Sequence, residues 1–140
     1  MPARKKPQTH NALAAIFADA DLARQHLEQI RWKGELYCPH CGNIGAYKLG
    51  GKAGSKNPVR PGVWKCSACR KQFSVTVGTV FERSHIPLNQ WIHTMYLMCA
   101  SKKGVSANQV SRMLGVTYKT AWFMCHRIRK AMESGTGGFE

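Results

Sequence analysis

The stretch that decides the fold is Cys38-Pro39-His40-Cys41-Gly42, answered by Cys66-Ser67-Ala68-Cys69-Arg70. Each stretch sets two thiols with two residues between them, so one tight turn aims both at the same point. Two such turns make a cage of four thiolates, the closed arrangement of a structural zinc ion. Gly42 frees the backbone to turn back toward sulfur. The four ligands predicted are Cys38, Cys41, Cys66 and Cys69, holding one zinc. A redox pair or two disulfides would use the same residue types, but two close pairs in a reducing compartment favour metal. His40 lies inside the first turn, where its side chain would point away from the ion. Four thiolates leave no open coordination position, so the metal is expected to be structural and not catalytic.

Between the pairs, Gly50-Gly51-Lys52-Ala53-Gly54-Ser55-Lys56-Asn57-Pro58 reads as a hairpin tip, longer than most ribbons carry. The surrounding segment is one-sided in charge. Lys48, Lys52, Lys56, Arg60, Lys65, Arg70 and Lys71 fall between Cys38 and Val75, with no acidic side chain among them. The whole chain follows suit: 140 residues carry 21 Lys and Arg against 7 Asp and Glu, a net charge of +14. That imbalance implies an anionic partner, and nucleic acid fits best because neutralised phosphates release counterions. A membrane surface is the weaker alternative. No apolar run approaches the roughly 20 residues that span a bilayer, and no signal peptide opens the chain, so a cytoplasmic protein is expected.

Outward from the cysteines, helical patterns flank the extended region. A short apolar helix is expected over Leu13 to Phe17. A second, capped by Asp19, runs to about Arg31 with Ala23, Leu27 and Ile30 inward. Downstream, Pro87 suits a first helical position, and Leu88 to Ser101 reads as a helix burying Trp91, Met95 and Met98, ended by Gly104 after Lys102 and Lys103. Ser106-Ala107-Asn108-Gln109 matches a capping box for a helix reaching Leu114. Gly115 then permits a left-handed turn, and Thr117 caps a third helix to about Met132. Helix, glycine turn and helix together read as a helix-turn-helix. On its second helix Ala121, Cys125 and Ile128 form an inward stripe. Lys119, Phe123, Arg127 and Lys130 form another face, and Tyr118, Lys119 and Thr120 occupy the N-terminal part that meets base edges in such motifs. A merely solvated basic face is the competing reading of one isolated helix. Cys99 and Cys125, alone among apolar residues, are read as core.

The fold class is therefore α+β: a basic arm (1–10), N-terminal helices (11–34), a small antiparallel zinc ribbon (35–77), a three-helix helix-turn-helix unit (78–134) and a tail (135–140). Phosphate or base contacts are expected from Lys52, Lys56, Arg60, Arg70 and Lys71 on the ribbon. On the helical unit they are expected from Thr117, Tyr118, Lys119, Thr120, Phe123, Arg127 and Lys130. No phosphate-binding glycine pattern and no readable triad suggests a small-molecule substrate.

Six motifs in fixed order also carry a family resemblance. They are Tyr37-Cys38-Pro39-His40-Cys41-Gly42, Trp64 to Ser74, Gly78-Thr79-Val80-Phe81-Glu82, Leu88-Asn89-Gln90-Trp91, Ser101-Lys102-Lys103-Gly104 and Tyr118 to Met124. Together they resemble the insertion-sequence transposases of the ISXO-two-like group. The resemblance implies recognition of terminal inverted repeats in double-stranded DNA. It also implies a following ribonuclease-H-like domain whose carboxylates hold two divalent metals for strand cleavage and transfer. The only aspartates here are Asp19 and Asp21, upstream of the ribbon, so the chain is expected to bind DNA without chemistry of its own. A second copy of the chain or a catalytic transposase domain are the protein partners considered. Two other functions stay open at this point: a free-standing regulator that reuses these modules, and a ribbon that docks on another protein.

Overall fold

The computed structural model describes residues 10–50, 54, 56 and 58–133. The expected basic arm over its first nine residues, Lys52 and the expected tail lie outside the described residues. The elements run α1 (His10–Ala18), α2 (Ala20–Trp32), β1 (Ala46–Lys48), β2 (Trp64–Cys66), β3 (Gln72–Phe73), α3 (Leu88–Ala100), α4 (Ala107–Leu114) and α5 (Tyr118–Glu133). The chain is α+β, as its patterning predicts.

Local chemistry accounts for most boundaries. Asp19 starts α2 by accepting a hydrogen bond from the Asp21 amide, 2.9 Å. Ser106 starts α4 by accepting from the Gln109 amide, 3.2 Å, and Thr117 starts α5 by accepting from the Thr120 amide, 3.3 Å. Such caps stabilise a helix by about 1 kcal/mol each. Between α4 and α5, Gly115 takes the left-handed conformation (φ 67°), where a side chain would be strained. The Ser111 hydroxyl closes the turn by donating to the Val116 carbonyl, 2.6 Å.

The structure corrects four details. Pro87 sits just outside α3 as its N-cap, with extended ψ (142°), and the helix begins at Leu88. That helix stops at Ala100, and Ser101 makes the exit with its hydroxyl on the Gly104 carbonyl, 2.9 Å. Ile30 is exposed, not inward. The last turn of α2 leans on the ribbon through Arg31 and Trp32, so a different face is covered there. Cys99 is exposed in the last turn of α3, off the arc that buries Trp91 and Thr94, whereas Cys125 is fully buried. Burial also pushes the Cys125 thiol up, although Arg129 opposes this.

The sheet is antiparallel in the order β1-β2-β3, with Ala46 opposite Cys66 and Trp64 opposite Phe73. It is too small to bury a core alone. Instead one continuous apolar core joins ribbon to helices: Cys38, Cys66 and Phe73 lead through Val75, Phe81 and Trp91 to Met124, Cys125 and Ile128. Trp32 meets Trp64 and Phe73 edge-on, each at 6.1 Å between centroids, and Trp91 meets Phe81 likewise at 5.4 Å. Three arginines fasten the assembly by donating to backbone carbonyls: Arg31 to Val75 (2.6 Å), Arg127 to Glu82 (2.9 Å) and Arg129 to Val105 (3.1 Å). The ribbon and the helical unit, distinct in sequence, thus share one interior.

Candidate metal centre and nucleic-acid interface

The four predicted cysteines converge. Their sulfurs all lie within 4.8 Å of one another, with Cys38 to Cys69 at 3.6 Å and Cys41 to Cys66 at 3.5 Å. A tetrahedral zinc with sulfurs at about 2.3 Å sets sulfur edges of about 3.8 Å. The cage fits one such ion.

The two knuckles are built alike. In the first, the Cys38 amide donates to the Asn43 carbonyl, 2.9 Å; in the second, the Cys66 amide donates to the Lys71 carbonyl, 3.1 Å. Each bond joins residues five positions apart, and the residue just before its acceptor is left-handed. Gly42 takes that conformation at φ 77°, but the equivalent residue is Arg70, at φ 58°. The Ser67 amide ties the knuckles together by donating to the Gly45 carbonyl, 2.9 Å.

Hydrogen bonds prepare sulfur for metal. The His40 amide donates to the Cys38 sulfur, 3.4 Å, while the His40 side chain is exposed and stands outside the four-cysteine cluster. The Cys69 amide outweighs burial and, helped by the Ala68 amide, holds the Cys66 thiol down to about 6. For Cys69 the Lys71 amide favours the thiolate, but burial and the neighbouring thiols push it up to about 11. Four sulfurs this close cannot all ionise without a cation between them.

Among the residues expected to meet nucleic acid, Lys56, Arg60, Arg70 and Lys71 are exposed on the ribbon side. On α5, Tyr118 and Lys119 are exposed at the N-terminal end and Lys130 further along; Thr117 is exposed just ahead of it. Thr120 is half-buried, its hydroxyl 2.9 Å from that of Thr117. Arg127 leans toward the body of the protein, while Phe123 is 44% exposed and touches the body along one edge. Phe123 meets Trp91 edge-on at 6.3 Å, and Arg127 lies over Phe123 while donating to the Glu82 carbonyl. The face read from sequence therefore divides in two, an outer part around Lys119 and Lys130 and an inner part that fastens the helix.

Sequence reasoning passed over an aromatic pair beside the outer part. Trp122 is 48% exposed, and its ring lies against His126 at 4.1 Å between centroids. The signal was present in the spacing: Tyr118, Trp122 and His126 recur every four residues, along the flank of the buried stripe of Ala121, Met124, Cys125 and Ile128. A second feature lay beyond sequence. A groove of about 660 Å³ opens between α2, the ribbon and the start of α3, lined in part by Arg24, Arg60 and Arg83.

With this geometry in view, comparison with known proteins gives one sharp match. Residues 19–72 carry a transposase zinc-ribbon domain. That ribbon, with its four-cysteine site, takes in the N-terminal helix α2 and the sheet. A curated relative, described as "Uncharacterized protein in transposable element ISH50" of Halobacterium salinarum, is 27% identical over 118 residues, 84% of this chain. The chain spans 37% of that protein's length. No solved structure matches. Among the described residues no helix is long and apolar enough to cross a membrane.

Proposed function

We propose that this chain is the DNA-recognising portion of an insertion-sequence transposase of the ISXO-two-like group, binding terminal inverted repeats in double-stranded DNA and performing no strand chemistry itself. The carrying observation is the α4–Gly115–α5 unit, capped at both helix starts and presenting exposed Tyr118 and Lys119 at the head of α5. It is built on the same core as a transposase ribbon. In this reading zinc fixes the ribbon, the ribbon cations Lys56, Arg60, Arg70 and Lys71 follow phosphates, and the start of α5 enters the major groove. The aspartates have structural employment that supports the absence of chemistry: Asp19 caps α2 and Asp21 pairs with Arg24 at 3.4 Å.

Titration of the full chain with inverted-repeat and scrambled duplexes at several salt concentrations tests this. Lys119→Ala is expected to lose discrimination by about 1–3 kcal/mol if the residue reads a base. Lys56→Ala is expected to weaken all duplexes alike and remove about one unit of salt slope. Equal affinity for both duplexes would refute repeat recognition. Magnesium-dependent cleavage abolished by Asp21→Ala would refute the absence of chemistry.

A further inference from the structure

We propose that the Trp122–His126 ring pair is the part of α5 that reads a thymine, Trp122 packing its face on the C5-methyl group in the major groove. The inference rests on the reading of α5 as the recognition helix and adds a residue and a chemical target to it.

Trp122 stands apart from the other tryptophans. Trp91 is fully buried, Trp32 is 7% exposed, and Trp64 is half-buried against Trp32. Trp122 is 48% exposed and lies on the open flank of α5, beside the buried stripe of Ala121, Met124, Cys125 and Ile128. Single apolar side chains on a surface are ordinary, but this one is not single. Tyr118, one turn earlier, is 53% exposed, and Phe123, the next residue along, is 44% exposed. His126, one turn later, braces the indole at 4.1 Å with a 44° tilt, so the ring is held before any partner arrives.

Charge selects the partner. The exposed aromatic pair is bordered on its own helix by the exposed Lys119 and Lys130, and by Arg129, which is exposed while donating one N–H to the Val105 carbonyl. An apolar plate within a cationic border matches the major groove, where phosphates flank base edges and the thymine methyl is the apolar feature on offer. A protein partner with an apolar patch would have to bring acidic groups to the same border. Position agrees: Trp122 is the fifth residue of α5, within the N-terminal portion that meets base edges in this class of motif.

The test uses the full chain and a duplex that it enriches from a random library. Each thymine is replaced in turn by deoxyuridine, which removes the methyl group and leaves base pairing intact. At one or more positions the wild type is expected to lose about fourfold in affinity, the ratio corresponding to about 0.8 kcal/mol for a buried methyl-sized group. Trp122→Ala is expected to show no loss at those positions, and Trp122→Phe to retain part of it. In parallel, acrylamide quenching of the fluorescence that Trp122→Ala removes is expected to fall on duplex binding. Because the side chain is half exposed, the variant should keep its helix content and metal stoichiometry, which circular dichroism and zinc analysis check. If wild type and Trp122→Ala respond alike to every deoxyuridine, or if Trp122 stays open to acrylamide in the complex, the inference is wrong while DNA recognition stands. Failure of the wild type to enrich any duplex would overturn both.

Discussion

Trp91→Ala examines the claim that the ribbon and the helices share one interior. Trp91 is fully buried, meets Phe81 and Phe123 edge-on, and donates its indole N–H to the Ser84 hydroxyl at 3.1 Å. A tryptophan buries about 150–250 Å², which at about 25 cal/mol per Å² is about 4–6 kcal/mol and an upper bound. Its edge-to-face pairs add about 0.5–1.5 kcal/mol each. Core truncations of this kind cost about 3–5 kcal/mol in practice, so that range is the expectation. Against a total stability of about 5–15 kcal/mol, this threatens folding outright. Trp91→Phe, which keeps two aromatic neighbours but loses the Ser84 bond, should cost about 1–3 kcal/mol. The assay is urea unfolding of the cobalt-loaded protein at fixed free metal, following thiolate-to-cobalt absorbance for the ribbon and far-ultraviolet circular dichroism for the helices. Both signals should move together to lower urea in Trp91→Phe. Separate transitions, with the absorbance unmoved while the helices melt early, would refute a shared core.

Three further outcomes are expected. Arg70→Gly should raise stability by about 0–1.5 kcal/mol, because relief of left-handed strain of about 1–2 kcal/mol matches or exceeds glycine's entropic cost of about 0.5–1 kcal/mol; the same variant should bind duplex less tightly, and a lower melting temperature would contradict the knuckle geometry. Zinc affinity should fall as pH falls, since the ion must displace protons from Cys69, pushed up to about 11, and below about 6 from Cys66 as well; a pH-independent affinity in chelator competition would contradict a thiolate site. His93, stacked on Phe17 at 4.4 Å, has its pKa lowered by burial, so the unfolded chain binds its proton more readily than the folded one. Stability should therefore decline as pH drops through the ordinary histidine value of 6.5, and His93→Phe should flatten that decline in thermal melts across the acid range.

What the sequence alone determined is the chemistry that is local in the chain. Two thiols across a tight turn, a serine or threonine three residues ahead of a free amide, and a glycine where φ must be positive are each satisfied within a few residues. The ligands Cys38, Cys41, Cys66 and Cys69, the caps Asp19, Ser106 and Thr117, and the Gly115 turn could therefore be read directly. Tertiary structure decided whatever depends on which face meets a distant segment. Arg127 and Lys130 lie three residues apart on one helix, yet Arg127 turns to the Glu82 carbonyl, 45 residues upstream, while Lys130 stays in solvent. Ile30 and Cys99 fit apolar stripes but fall in last turns, where the covering surface has changed. Trp122 looked like any helical aromatic until Trp91, Met124 and Ile128 filled the core beside it. Periodicity fixes which residues share a face; only packing against residues far along the chain decides which face is inside.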